Sequence, residues 1–253
     1  MRIGGRNYGD GTASAPRPVE TRDNSNALSF AKVFGYMFLG LAITAGVSFL
    51  FGYIFAQWIN NAGSSAESGI SIILAISSIA LIIMTFVIQF VLLKGKHSVA
   101  VPALIYIVLM GLMLSTFTMF IDWRLLGMAF GITSVIFGLL ALIGALSKGR
   151  MTGLSMIILG LFMGAGIVAL FSWIFVLIMP GVAANMIWIL NFAIFAAVML
   201  SVVVDVNNVK KISEQGMMSD NLALYFAFTL YVDFIYIYIK IVYFLILIFG
   251  RNR

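Results

Sequence analysis

From Lys32 onward the chain is a succession of long apolar runs separated by brief polar breaks. Seven runs have about the 20 residues that carry an α-helix across a hydrocarbon core of about 30 Å. They occupy 33–55, 70–93, 99–120, 125–146, 153–177, 186–204 and 222–249. The breaks between them, 57–69, 94–98, 121–124, 147–152, 178–185 and 207–221, are too short to fold alone. The pattern predicts an all-α membrane protein in which residues 32–253 form one domain of seven transmembrane helices. Residues 1–31 are polar, rich in Gly, Asn, Ser and Pro, and carry Arg2, Arg6, Arg17 and Arg22. They read as a disordered basic tail. The apolar run after Lys32 is too long for the h-region of a cleaved signal peptide, which spans about 7–15 residues.

Composition supports the same solvent. Of 253 residues, 62% are hydrophobic and 9% charged, with a mean hydropathy of +1.11, whereas a soluble domain is about one quarter charged. The net charge of +6 and pI near 9.7 reside in short clusters between apolar runs, with no groove-sized basic face, so nucleic acid is not an expected partner. The absence of cysteine and the single histidine, His97, argue against disulfides, zinc centres, thiol nucleophiles and most histidine chemistry. No cofactor is implied.

The bases also predict orientation. The tail through Lys32 supplies five, and Lys94, Lys96, Lys148, Arg150, Lys210 and Lys211 fall on the same side, giving eleven. Arg124, Arg251 and Arg253 make three on the other. Because basic loops stay cytoplasmic, the N-terminus is expected in the cytoplasm and the C-terminus opposite, in a cell (inner or plasma) membrane. The connector bases are expected to contact anionic lipid headgroups, and His97 to lie at headgroup level. Trp58, Trp123, Trp173 and Trp188 fall near the other span ends, as in an aromatic belt.

Small residues at Gly127 and Gly131, Ser134 and Gly138, and Gly160 and Gly164 have the spacing that lets helices approach closely in lipid. Gly40, Gly111 and Gly160 fall in similar Gly-Leu contexts in the odd-numbered spans, a weak internal repeat. Charges within spans carry more information, since a central Asp or Lys costs about 2.5–3.5 kcal/mol on insertion scales. Asp233 and Lys240 lie in the last run and Asp205 closes the sixth. Thr229, Asp233, Tyr236, Lys240 and Tyr243 recur at helical spacing, as do Ser201, Asp205 and Asn208, giving two polar stripes. Antiparallel packing of the two helices would set Asp205 against Asp233, where two carboxyls away from water share a proton and titrate in two steps. A solvated Asp205, with Asp233 paired to Lys240, is the alternative.

The residues resemble the Bax inhibitor-1 family of multi-pass membrane proteins. The similarity is carried by residues 33–46, by Ala129-Phe-Gly-Ile-Thr133 with Phe137-Gly-Leu, by Val204-Asp205-Val-Asn-Asn-Val-Lys-Lys-Ile, and by Leu230-Tyr-Val-Asp233-Phe-Ile. The resemblance implies a central last helix wrapped by the other six. It also implies, as in bacterial relatives, a hydrogen-bonded aspartate pair that senses pH in a Ca²⁺ leak, with Asp205 and Asp233 in that role. Tyr236 and Val204 depart from the family's Asn and Tyr. The second span offers Gln89 and no arginine to latch the aspartates, which leaves Lys240 as a substitute cation.

The leading expectation is therefore a pH-sensitive passive cation (Ca²⁺) leak, its partners Ca²⁺ and protons. Asp205 and Asp233 are its sensor and a transient Ca²⁺ site, and Ser201, Asn208, Thr229, Tyr236 and Lys240 line its pore or gate. The alternative is a non-transporting regulator that binds other membrane proteins, such as membrane proteases or cell-death and stress factors, through the tail. No enzyme is expected: Leu230-Tyr-Val-Asp233 lacks the Gly-x-Gly-Asp of intramembrane aspartyl proteases, and Pro102-Ala-Leu104 precedes both aspartates.

Overall fold

The computed structural model describes the backbone of residues 19–94, 98–147, 151–178 and 180–250, and side chains within 28–92, 98–147, 151–169 and 188–249. Seven α-helices follow in order: α1 (Val19–Ala62), α2 (Ser64–Lys94), α3 (Ala100–Phe120), α4 (Trp123–Leu146), α5 (Thr152–Ile178), α6 (Pro180–Glu214) and α7 (Asp220–Gly250). Among the described residues there is no strand, and all seven helices are long and apolar enough to cross a membrane. The seven-helix membrane architecture expected from the apolar runs is present. Several helices run past their apolar runs, α1 and α6 furthest. α1 starts at Val19, inside the stretch assigned above to the tail, of which residues 1–18 lie outside the described residues. α6 continues through Asp205 and Lys211 to Glu214, taking in much of the last polar break.

Turn chemistry sets the helix directions. Gly63, at φ +56°, separates α1 from α2, and Gly216, at φ +69°, ends α6; both occupy the left-handed region where a Cβ is costly. After Gly216 the Met217 amide donates back to the Ile212 carbonyl at 3.1 Å, the long bond of a Schellman end. The turn is short enough that α6 and α7 must run antiparallel. Between α3 and α4 the Asp122 carboxylate accepts from the Arg124 amide at 2.9 Å and caps α4.

The core follows α7. Leu230, Tyr231, Phe234, Ile237 and Val242 on this helix are at most 2% exposed. Rings close around it: Phe234 packs against Phe130 and Phe137 of α4, and Tyr231 against Tyr106 of α3. α7 lies chiefly against α1, α4 and α6 and meets α2 and α3 more lightly. Wrapping by all six other helices is not confirmed: among the described residues α5 packs on α6, and its backbone does not come close to that of α7. α2 leaves Ile72, Ile76, Ile79, Ile83, Phe86 and Phe90 exposed, a face suited to lipid.

The small residues that matter differ from those singled out by spacing. A Cβ on Gly127, Gly131, Gly138, Gly160 or Gly164 would meet nothing within 4 Å, so these are not contact points. Close approach occurs instead at Gly144, where a Cβ would stand 2.5 Å from the Val203 carbonyl of α6, and at Gly111, where it would stand 2.9 Å from the Thr44 carbonyl of α1. Of the three repeat glycines, Gly40 and Gly111 lie at the α1–α3 contact and Gly160 faces open space. Spacing reports that two glycines share a helix face, but not which way that face points.

Candidate functional site

The two polar stripes do face each other. Asp233 on α7 is 8% exposed, and its Oδ2 lies 3.0 Å from the Ser201 hydroxyl of α6. Ser201 is also 2.8 Å from the Val198 carbonyl one turn earlier in its own helix. A hydroxyl has one proton and these are two acceptors. If Ser201 donates to Val198, the contact with Asp233 is a full hydrogen bond only when Asp233 carries a proton and donates.

The antiparallel register set by this contact puts Asp205, one turn further along α6, level with Thr229, one turn before Asp233 on α7. Asp205 is half-buried and near enough for its charge to bear on Asp233. Among the described residues no hydrogen bond joins the two carboxyls directly; Ser201 holds the Asp233 oxygen. Asn208 is half-buried, and the Thr229 hydroxyl donates to the Tyr225 carbonyl of its own helix at 3.1 Å.

Lys240 points elsewhere. Its Nζ donates to Asn191 Oδ1 of α6 at 2.5 Å and stands 5.4 Å from the centre of the Tyr236 ring. The ammonium is thus held two turns beyond Asp233 by an amide and a π face. The substitute latch considered for Lys240 does not form, nor does a Lys240–Asp233 ion pair. The physical reason is reach: Asn191 lies beside Lys240 across the helix pair, whereas Asp233 lies ~10.5 Å along the axis.

One functional neighbour escaped the sequence reading. Asn207 is fully buried, and its amide donates to the carbonyls of Gly144 at 3.2 Å and Ser147 at 3.0 Å. Lys210, read above as a topology determinant, donates to the Ala145 carbonyl at 2.7 Å. Together they satisfy the last carbonyls of α4, which a helix C-terminus leaves without intrahelical donors. Among the described residues Asn207 Oδ1 has no hydrogen-bond partner. The i, i+3 spacing of Asn207 and Lys210 was the available signal, but Asn208 drew attention as a member of the Asp205 stripe.

Around these groups the starts and ends of several helices are tied at one end of the bundle, here called the basic end. Lys32 of α1 pairs with Asp220 of α7 at 2.8 Å. Asn221 Oδ1 accepts from the Val99 amide at the start of α3 at 2.9 Å. Above them, Thr44 of α1 and Tyr231 of α7 share a buried hydroxyl–hydroxyl bond of 2.6 Å. Lys96, His97, Lys148 and Arg150 lie outside the described residues, as do the side chains of Lys94 and Trp173. Trp58, Trp123 and Trp188 are exposed. No group of three or more metal-ligating side chains occurs among the described residues. Two carboxyls about a turn apart suit a passing hard cation better than a resident one, which takes 6–8 oxygens.

A family model described as "Inhibitor of apoptosis-promoting Bax1" matches residues 27–251, nearly the whole of the seven-helix bundle. No curated protein and no solved structure matches the chain.

Proposed function

The chain belongs to the Bax inhibitor-1 family, and from that premise we propose that it is a passive, pH-tuned cation leak that passes Ca²⁺, with Asp205 and Asp233 as its sensor and gate. The observation that carries this reading is the Ser201–Asp233 contact, which ties α6 to α7 through a single hydroxyl proton. Protonated Asp233 completes the tie as a donor. Ionised Asp233 competes with the Val198 carbonyl for that proton and faces the Asp205 carboxyl a turn away.

The surroundings leave the pair sensitive to its own charge. From α6 it meets Ser201 and Asp205. Of the nearby bases, Lys240 is engaged by Asn191 and Lys210 by the Ala145 carbonyl. Among the described residues no cation stands within ion-pair distance of either aspartate. A change in charge on the pair alters the separation of α6 and α7 and opens a route past Ser201, Asn208, Thr229 and Tyr236. The N-terminus is cytoplasmic in this reading, and the basic end faces the same side.

Ca²⁺ flux into proteoliposomes, measured across pH for wild type, Asp205→Asn and Asp233→Asn, tests the proposal. The expected outcome is a pH-dependent flux whose dependence is lost in either variant. Equal flux and equal profiles in all three proteins reject it.

A further inference from the structure

A cavity of about 370 Å³ opens between α1, α3, α4 and α7, in the half of the bundle away from the basic end. Its origin is topological. α3 and α4 are joined by two residues but touch little, and among the described residues α1 and α4 do not touch. Leu41, Phe49, Leu126, Phe130 and Phe234 dominate its wall. Two of its hydroxyls are already engaged, Thr44 with Tyr231 and Thr118 with the Ser48 carbonyl. Such a wall offers water few partners, and a water needs 2–4 polar groups to be held. Phe49, Trp123 and Phe130 at the rim are exposed, so what surrounds the bundle can enter, and at this depth that is lipid.

The cavity has a polar mouth. A second opening shares Phe49, Thr118, Trp123 and Leu126 with it and leads to Asp122 and Arg124. Asp122 turns a carboxylate oxygen to the Arg124 amide. The exposed Arg124 guanidinium lies 5.8 Å from the centre of the Trp123 ring, and no carboxylate among the described residues forms an ion pair with it. An apolar slot, about 12 Å deep by the separation of Leu41 and Phe49, thus ends at an available cation at the span end. We propose that this slot binds one acyl chain of an anionic phospholipid, with the headgroup phosphate at Arg124. The site is separate from the aspartate pair and does not depend on the leak.

Trp123 provides the reporter. With Trp58, Trp173 and Trp188 changed to Phe, the full chain is reconstituted in phosphatidylcholine vesicles containing small fractions of either phosphatidylglycerol or phosphatidylcholine brominated along the acyl chain. Brominated phosphatidylglycerol is expected to quench Trp123 at about fivefold lower mole fraction, the preference one basic residue at a membrane surface provides. Arg124→Gln should remove the preference. Gly127→Phe, whose side chain enters a cavity with nothing within 4 Å of its Cβ, should remove the extra quenching by either lipid. Equal quenching by the two lipids, or quenching that Gly127→Phe leaves intact, overturns the site. Stronger quenching by a brominated free fatty acid than by phosphatidylglycerol overturns the phospholipid as its occupant. Should the triple variant fail to fold, the difference in quenching between wild type and Trp123→Phe gives the same comparison.

Discussion

Ser201 shows how much can rest on one hydroxyl: it is the described polar link between α6 and Asp233, and it divides one proton between two acceptors. Ser201→Ala should lower stability by about 0.5–1.5 kcal/mol, the usual worth of one such bond, as read from thermal unfolding in detergent. It should also shift the midpoint of the pH response without abolishing it, because both carboxyls remain. Lys240→Met makes a contrasting prediction. Its ammonium is committed to Asn191 and Tyr236, so the flux profile should keep its pH midpoint; a shifted midpoint would restore Lys240 as a partner of the aspartates. Asp205, Asp233 and Ser201 were legible in the sequence because a carboxyl inside an apolar run is anomalous and helical spacing then points to its neighbours. Asn191 and Asn207 were not: Asn207 falls in a polar break, where an Asn is ordinary, and the role of Asn191 in the sixth span depends on its partner Lys240 on another helix.

At the scale of elements, α4 and α6 make the tightest described backbone approach by glycine, at Gly144 and Val203, and α6 then supplies Asn207 and Lys210 to the end of α4. The close approach and the caps depend on each other, because a short amide reaches the α4 carbonyls only if the helices nearly touch. Gly144→Leu should therefore separate the pair and markedly lower the melting temperature, while Gly138→Leu, whose Cβ enters open space, should stay within about 0.5 kcal/mol of wild type. Asn207→Leu strands the buried Gly144 carbonyl and the half-buried Ser147 carbonyl and should cost about 1–3 kcal/mol for the buried one left without a donor. The number and order of helices followed from apolar run length alone. The true extents of α1 and α6 did not, because polar residues continue a helix when another helix gives their side chains partners.

For the molecule as a whole, the proton balance of α6 against α7 makes a prediction about stability. Ionising both aspartates sets two like charges about a turn apart with no described cation beside them, and their mutual repulsion works against the folded bundle. Where the unfolded state binds fewer protons, stability falls as pH rises. The wild-type melting temperature should thus decline on going from acidic to alkaline buffer, and more steeply than that of Asp205→Asn; parallel curves would show that the carboxyls do not interact. Taken by itself, the sequence determined the solvent, the number of spans and the helix pair that bears the ionisable groups. These follow from transfer free energies that each residue carries wherever it is placed. Only the tertiary structure decided which glycines admit a neighbour, that Asn191 takes Lys240, that α5 packs on α6, and that α1 and α4 leave a slot between them. In lipid every face of an apolar helix is equally well solvated, so hydropathy does not fix its rotation; contact between helices does.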